Sequence, residues 1–341
     1  MGKTKRREVC LVIGGCSFIG RHLVEGLVAD GFQVKLLDSQ SVCEIENVTF
    51  IQGDFCNRDE LESALQGIDV VFHCVSVCSS DGNMQMVDRI NIHGTRQLVE
   101  ACNDTEVKKL ILVTSCAIIS DLGKHTRNGR ECQPYAKRPF DHSFHTKVLQ
   151  EQIVLRANSQ SLLTTSIRLF AVFGPQPAGA ISPHNLFSIN SYKYAIGSGY
   201  NLSDFTYVGN VVHGLILASD HLYPSSPVCG QAYNITNGEP VSFNWLLNSV
   251  MEGLECDFPR KRFPFWLMFS FAFLLNIIYS IFSVCKLDFR TNLTLPSVNV
   301  AGKDSYYCID KARAQLGYKP VYSLQQGLDI TIQCIRVGQI Q

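Results

Sequence analysis

The stretch from Val9 to Gly31 constrains this chain more than any other. It opens on a short apolar run, Val9-Cys10-Leu11-Val12-Ile13, of the length expected for a buried strand. A turn follows, Gly14-Gly15-Cys16-Ser17-Phe18-Ile19-Gly20, and then a helical pattern in which Ile19, Leu23 and Leu27 fall four apart beside Val24 and Val28. Gly31 supplies the stop. A strand that turns through glycines into a helix aims unpaired backbone N–H groups and the positive end of the helix dipole at one point. Such a point suits an anion, above all a dinucleotide pyrophosphate. The residues expected to form this cradle are Gly14, Gly15, Ser17, Phe18, Ile19 and Gly20.

The alternation of strand and helix continues downstream. Val34 to Asp38 reads as a second strand ending in a carboxylate, about 20 residues past the turn, where an acid meets the adenosine ribose hydroxyls. Its charge would repel a 2′-phosphate, so the expected cofactor is NAD rather than NADP. Val48 to Gln52, Asp69 to Cys74 and Leu110 to Thr114 read as further strands. Asn57 with Glu60 resembles a capping box for a helix through Gln66, and a second helix is expected from about Asp88 to Cys102. His73, inside an apolar run, is read as a satisfied core histidine rather than a ligand. Strands and helices alternating at this density predict an α/β fold with a Rossmann-type, doubly wound parallel sheet.

A chain of 341 residues holds one large α/β domain and a smaller lobe without staples. The net charge is zero and the basic residues are scattered, which excludes nucleic acid as the expected partner. The fourteen cysteines sit mostly in apolar runs with no Cys-x-x-Cys pair, so they are read as buried thiols in a reducing compartment, with no metal site. Met1 to Arg7 is basic and lacks an apolar core, so no cleaved signal peptide is expected.

Several stretches together give the chain a family likeness. They are the glycine turn, Gly53-Asp54-Phe55, Asn91-Ile92-His93-Gly94-Thr95, Lys108 to Leu112, Thr146 to Glu151, and Arg168 with Phe173-Gly174-Pro175. Asn201 to Val208, Asn210 to Gly214, Asn234 to Asn237 and Leu316 to Pro320 extend the likeness to the end of the chain. On these residues the chain resembles the 3β-hydroxysteroid dehydrogenase group of extended short-chain dehydrogenases. The resemblance implies an NAD-binding Rossmann domain over 1–173, with 206–238 returning to it, and a substrate lobe built from 174–205 and 239–341. It adds Asp54 to the cofactor set. It also implies oxidation of the 3β-hydroxyl of a sterol or steroid, with decarboxylation if the substrate carries a 4α-carboxylate.

In that family a tyrosine shuttles the substrate's hydroxyl proton while hydride moves to NAD. A lysine one helical turn later lowers the tyrosine's pKa and holds the nicotinamide ribose, and a serine orients the substrate oxygen. Lys147 matches the lysine. Four residues earlier stands Ser143, and the serine position before Ala117 is Cys116, with Ser115 one residue early. Ser17 likewise replaces the middle glycine of the family's turn, adding a side chain near the phosphate and resisting positive φ. An aliphatic alcohol is far less acidic than a phenol, and losing a positioned acid–base costs about 10²–10⁴ in rate. His142 and His145 are expected on other sides of the helix. Tyr307 to Lys311 has the right spacing but is set aside because it opens the last helix, Asp310 to Leu316, after the sheet.

From Phe263 to Cys285 there is no charge, between Arg260-Lys261-Arg262 and Lys286. As one helix the stretch would be long enough for a bilayer core of about 30 Å. Spanning would separate Asp304 to Pro320 from the sheet they are expected to complete, so the preferred reading is a monotopic or re-entrant segment in contact with membrane lipid, beside the substrate mouth. The resemblance implies the endoplasmic-reticulum membrane, with the catalytic domain facing the cytosol. Whether the chain forms a homodimer stays open. A second reading of function also stays open: a catalytically impaired relative that binds nucleotide or sterol as a membrane-associated scaffold. Sugar-nucleotide epimerisation on the same fold would need the same tyrosine.

Overall fold

The structure is a computed structural model that describes residues 8–40, 45–77, 84–175, 194–255, 261–284 and 293–340. In chain order the first unit runs β1 (Val9–Ile13), α1 (Phe18–Ala29), β2 (Gln33–Asp38), β3 (Val48–Gln52), α2 (Arg58–Leu65) and β4 (Val70–His73). Then come α3 (Met84–Asp88), a π-turn (Arg89–Gly94), α4 (Thr95–Asp104), β5 (Lys109–Ser115), β6 (Thr126–Gly129), α5 (His142–Arg156), β7 (Leu163–Leu169) and β8 (Val172–Phe173). The second half holds β9 (Tyr194–Ile196), β10 (Leu202–Ser203), β11 (Thr206–Tyr207), α6 (Val208–His221), β12 (Gln231–Ile235), β13 (Val241–Ser242) and α7 (Phe243–Gly253). It closes with β14 (Lys261–Phe263), α8 (Phe265–Val284), α9 (Leu295–Gly302), β15 (Ser305–Tyr307), α10 (Asp310–Leu316) and α11 (Leu324–Ile340).

Seven parallel strands form the main sheet in the order β12-β7-β5-β4-β1-β2-β3. Every residue of β1 is buried because both faces are covered. Cys10 and Val12 point into one cluster with Leu23 and Leu27 of α1 and Val211 and Leu215 of α6. Leu11 and Ile13 point into the other, with Leu61 of α2, Leu98 of α4 and Val154 of α5. A strand buried on both faces must be apolar at consecutive positions, which is why the run carries no alternation. Between β1 and β4 the direction of winding reverses, so the glycine turn after β1 opens at the switch point where such sheets bind ligands.

The smaller lobe contains a four-stranded sheet, β13-β10-β15-β6, and the pairs β8–β11 and β9–β14. β6 comes from the loop after β5, so the first half of the chain also contributes a strand to this lobe. The helix expected from Asp88 to Cys102 is present but widens into the π-turn at Arg89–Gly94. Asn57 caps α2 by accepting from Asp59 N; Glu60 bonds the Asn57 amide and Asp54 N instead of closing a capping box.

α8 carries the long uncharged stretch. Among the described residues no helix is long and apolar enough to cross a membrane, so spanning finds no support. Phe265, Met268, Phe269 and Ala272 pack instead on Leu295 and Val298 of α9, on Leu122 and on Ile196. The opposite side is exposed and apolar: Trp266, Leu267, Phe271, Phe273, Leu274 and Ile277.

Candidate active site

The glycine turn is stitched to the end of β2. Gly14 N donates to Leu37 O at 2.8 Å and Cys16 N to Asp38 Oδ2 at 3.0 Å. Gly14 takes φ +79°, open to glycine, and a Cβ at Gly20 would lie 2.1 Å from Gly14 O. Ser17 corrects an expectation. Its backbone is extended, φ −69° and ψ 164°, so the position asks for no left-handed conformation. Its hydroxyl folds back into the turn, donating to Gly14 O at 2.6 Å and accepting from Gly20 N at 3.2 Å as the N-cap of α1. Arg21 N bonds Ser17 O, which leaves the amides of Phe18 and Ile19 at the helix start without an intrahelical acceptor. Replacing Ser17 by alanine is expected to cost about 1 kcal/mol of stability through the lost cap, read as a fall in melting temperature of a few degrees.

These residues fit a dinucleotide. Two amides and the α1 dipole face the end of β1, and the Asp38 carboxylate is fixed beside them by Cys16 N and, on its other oxygen, Gln40 N at 3.1 Å. Asp54 lies further out, paired with Arg89 at 2.6 Å and accepting from Cys56 N.

α5 supplies the facing wall. Asp141 caps it, accepting from Phe144 N at 3.1 Å. Ser143 and Lys147, one turn apart, lie on its buried side, and the Lys147 ammonium stands 5.2 Å above the Phe144 ring. The Ser143 hydroxyl is sealed in and donates to Asp141 Oδ1 at 2.6 Å. As expected, the histidines turn elsewhere: His142 Nε2 meets Asp88 Oδ1 at 2.8 Å and His145 is exposed.

The two candidates for the serine's role part company. Cys116 is fully buried, and its thiol faces inward to Arg168 O at 3.2 Å and Asn234 Oδ1 at 3.5 Å; burial raises its pKa well above the usual thiol value. Ser115, at the end of β5, is half-buried and accepts from Ala117 N at 3.1 Å, which leaves its own proton to give. Neither Tyr307 nor Tyr135 stands in for the missing phenol. The Tyr307 hydroxyl lies 2.9 Å from Ser120 Oγ while Lys311 binds Gln231 Oε1 and Ala232 O, so that spacing brings no pair together. Tyr135 donates to Glu151 Oε2, part of the buried Glu151–Arg168 ion pair.

A buried network beneath α5 is the part that motif reading leaves without a role. Asn91, within the π-turn, accepts from Val77 N and donates to Val77 O and Thr146 Oγ1, fixing the chain after β4 against the helix that carries Lys147. His73 lies in the core as expected but is only half satisfied: Nε2 lies 3.1 Å from Thr95 Oγ1 and takes the Gln150 amide at 3.0 Å, while Nδ1 is buried without a hydrogen-bond partner. The signal for Asn91 was present in Asn91-Ile92-His93-Gly94-Thr95, but its two partners, Val77 after β4 and Thr146 of α5, lie 14 and 55 residues away.

A seven-stranded parallel sheet with a glycine turn at its switch point, an acid ending β2 and a lysine on the facing helix defines an extended dehydrogenase or epimerase fold. Solved structures agree on the fold. MoeE5 in complex with UDP-glucuronic acid and NAD matches with a TM-score of 0.72 and 22% identity, covering 96% of this chain and 99% of that one. UDP-glucose 4-epimerase from Thermotoga maritima matches with a TM-score of 0.74 and 21% identity, over 98% and 100%. The chain belongs to the 3-beta hydroxysteroid dehydrogenase/isomerase family, whose model matches residues 11–265. It is 37% identical over 332 residues to the mouse (Mus musculus) protein named sterol-4-alpha-carboxylate 3-dehydrogenase, decarboxylating, covering 96% of this chain and 91% of that one. It is 38% identical over 330 residues to the human (Homo sapiens) protein of the same name, over 96% and 88%.

Proposed function

We propose that this protein is an NAD-dependent sterol dehydrogenase that oxidises a 3β-hydroxyl, its substrate a 4α-carboxysterol whose 3-keto product loses CO₂. The observation that carries the reading is an unstrained pyrophosphate turn beside Asp38, with Lys147 kept at the family's lysine position on α5. NAD, when bound, supplies the hydride acceptor. The Phe18 and Ile19 amides would hold its pyrophosphate, Asp38 the adenosine ribose and Lys147 the nicotinamide ribose. Ser115 would donate to the substrate oxygen. The exposed apolar side of α8 would rest on a lipid surface at the cytosolic face of the endoplasmic reticulum, where a membrane-dissolved sterol enters.

Binding without turnover is the second reading. It is favoured by Ser143 and Cys116, both buried and both bonded inward. The two readings separate in detergent-solubilised protein titrated with NADH and then assayed with a 4α-carboxysterol and NAD. The first expects NADH binding and turnover that falls at least 10²-fold in Lys147→Ala. NADH binding with no product in a single-turnover experiment would leave the second. No NADH binding would overturn both.

A further inference from the structure

The segment Phe173-Gly174-Pro175 has no task in the chemistry above, yet it lies against the first turn of the cofactor helix. His22 Nε2 is 2.8 Å from Pro175 O. The imidazole is braced edge-on by Phe18, ring centroids 5.2 Å apart, and its Nδ1 lies 3.9 Å from Glu25 Oε2. Phe18 itself packs into the cluster of Phe173, Tyr207 and Val208, and a Cβ on Gly174 would come within 3.5 Å of its ring and 2.4 Å of Val208. The start of α1 therefore serves the pyrophosphate turn, while Phe18 and His22, one helical turn apart, grip the chain leaving β8.

We infer that His22 is a positioning residue for the dinucleotide: its Nε2–H, donating to Pro175 O, locks the Phe173–Pro175 strap against the cofactor turn, so that the cleft is already formed when the dinucleotide arrives. The carbonyl accepts and the imidazole donates, which requires the Nε2–H tautomer. Without the bond the strap must be ordered by the ligand, and that ordering is taken from binding affinity. The effect should appear in cofactor affinity and not in the stability of the free protein, because His22 is a partly exposed residue outside the core clusters.

This inference rests on the dinucleotide reading of the turn. The test is NADH titration by fluorescence of wild type, His22→Leu and His22→Gln, each also melted without ligand. His22→Leu is expected to weaken NADH about fivefold to tenfold, as one hydrogen bond allows, with its ligand-free melting temperature within about two degrees of wild type. His22→Gln, whose amide nitrogen reaches about as far as Nε2, is expected to restore most of the affinity. Wild-type affinity in His22→Leu would overturn the inference, as would a loss that His22→Gln shares in full. An equal affinity loss explained by a large fall in melting temperature would overturn it too. A wild type that binds no NADH would defeat the dinucleotide reading itself, a distinguishable failure.

Discussion

Ser143→Tyr is expected to raise sterol oxidation by about 10²–10⁴-fold, the value of a positioned proton acceptor. The new phenol would stand one helical turn before Lys147, whose ammonium favours the phenolate, and it would release Asp141 to cap α5 alone. The structure makes a sharper statement about the second substitution. Cys116 points between β5, β7 and β12, so Cys116→Ser would place a hydroxyl on Arg168 O and Asn234 Oδ1 and not in the cleft. Adding it to Ser143→Tyr is expected to change the rate less than about threefold, whereas adding Ser115→Ala should remove about tenfold or more. Initial rates with a 4α-carboxysterol and NAD, for the single and double variants, decide the matter. A double variant with Cys116→Ser far faster than Ser143→Tyr alone would return the orienting role to position 116. No gain from Ser143→Tyr would mean that the sealed surroundings of Ser143 do not admit the ring.

The second large effect concerns stability against pH. Burial pushes His73 down to about 4 and pushes the Asp204 carboxyl up to about 6, the latter despite bonds from Thr236 Oγ1 and Tyr307 N. The two act in opposite directions. His73 is charged in the unfolded chain below about 6.5 but neutral in the fold, so its contribution is complete above 6.5 and is lost as pH falls toward 4. Asp204 holds its proton longer when folded, so its contribution is complete below about 4 and is lost as pH rises through 6. Each shift corresponds to about 3 kcal/mol, and between pH 4 and 6 they largely cancel. Asp204→Asn should therefore make the protein lose stability on acidification from 6.5 to 4 more steeply than wild type, by about 3 kcal/mol. His73→Gln should reverse the difference. Denaturant unfolding at pH 4, 5, 6 and 7 measures both, and taking differences between variants removes the other carboxylates. Parallel profiles for all three proteins would mean that neither group carries the assigned shift.

Much of the fold could be read from local pattern. β1 to β5 match their expected positions to within a residue or two; for β1 and β4 this is because a strand covered on both faces must be apolar throughout, and the glycines that end β1 are forced by contact. Asp38 was legible for the same reason, as the residue that ends a strand at a fixed remove from the turn. Ser17 was misjudged because its conformation depends on a bond it makes to its own turn, and a pattern of residue types does not show which way a hydroxyl points. α8 was legible as a helix and not as a one-sided one, since aromatic residues stand on every side of it. Only its seat on α9 separates a packed face from an exposed one.

The sequence by itself determined the sheet, the place of the cofactor turn, the kept Lys147 and the absent phenol, because each is a matter of residue identity at a spacing set by local geometry. The tertiary structure alone decided that the Cys116 thiol faces the interior while Ser115 stays half-buried with its proton free to give, and that His22 reaches Pro175. These depend on groups brought together from strands and helices up to 153 residues apart. Side-chain direction at a strand end is set by whichever neighbour offers a partner, and that neighbour exists only once the chain has folded.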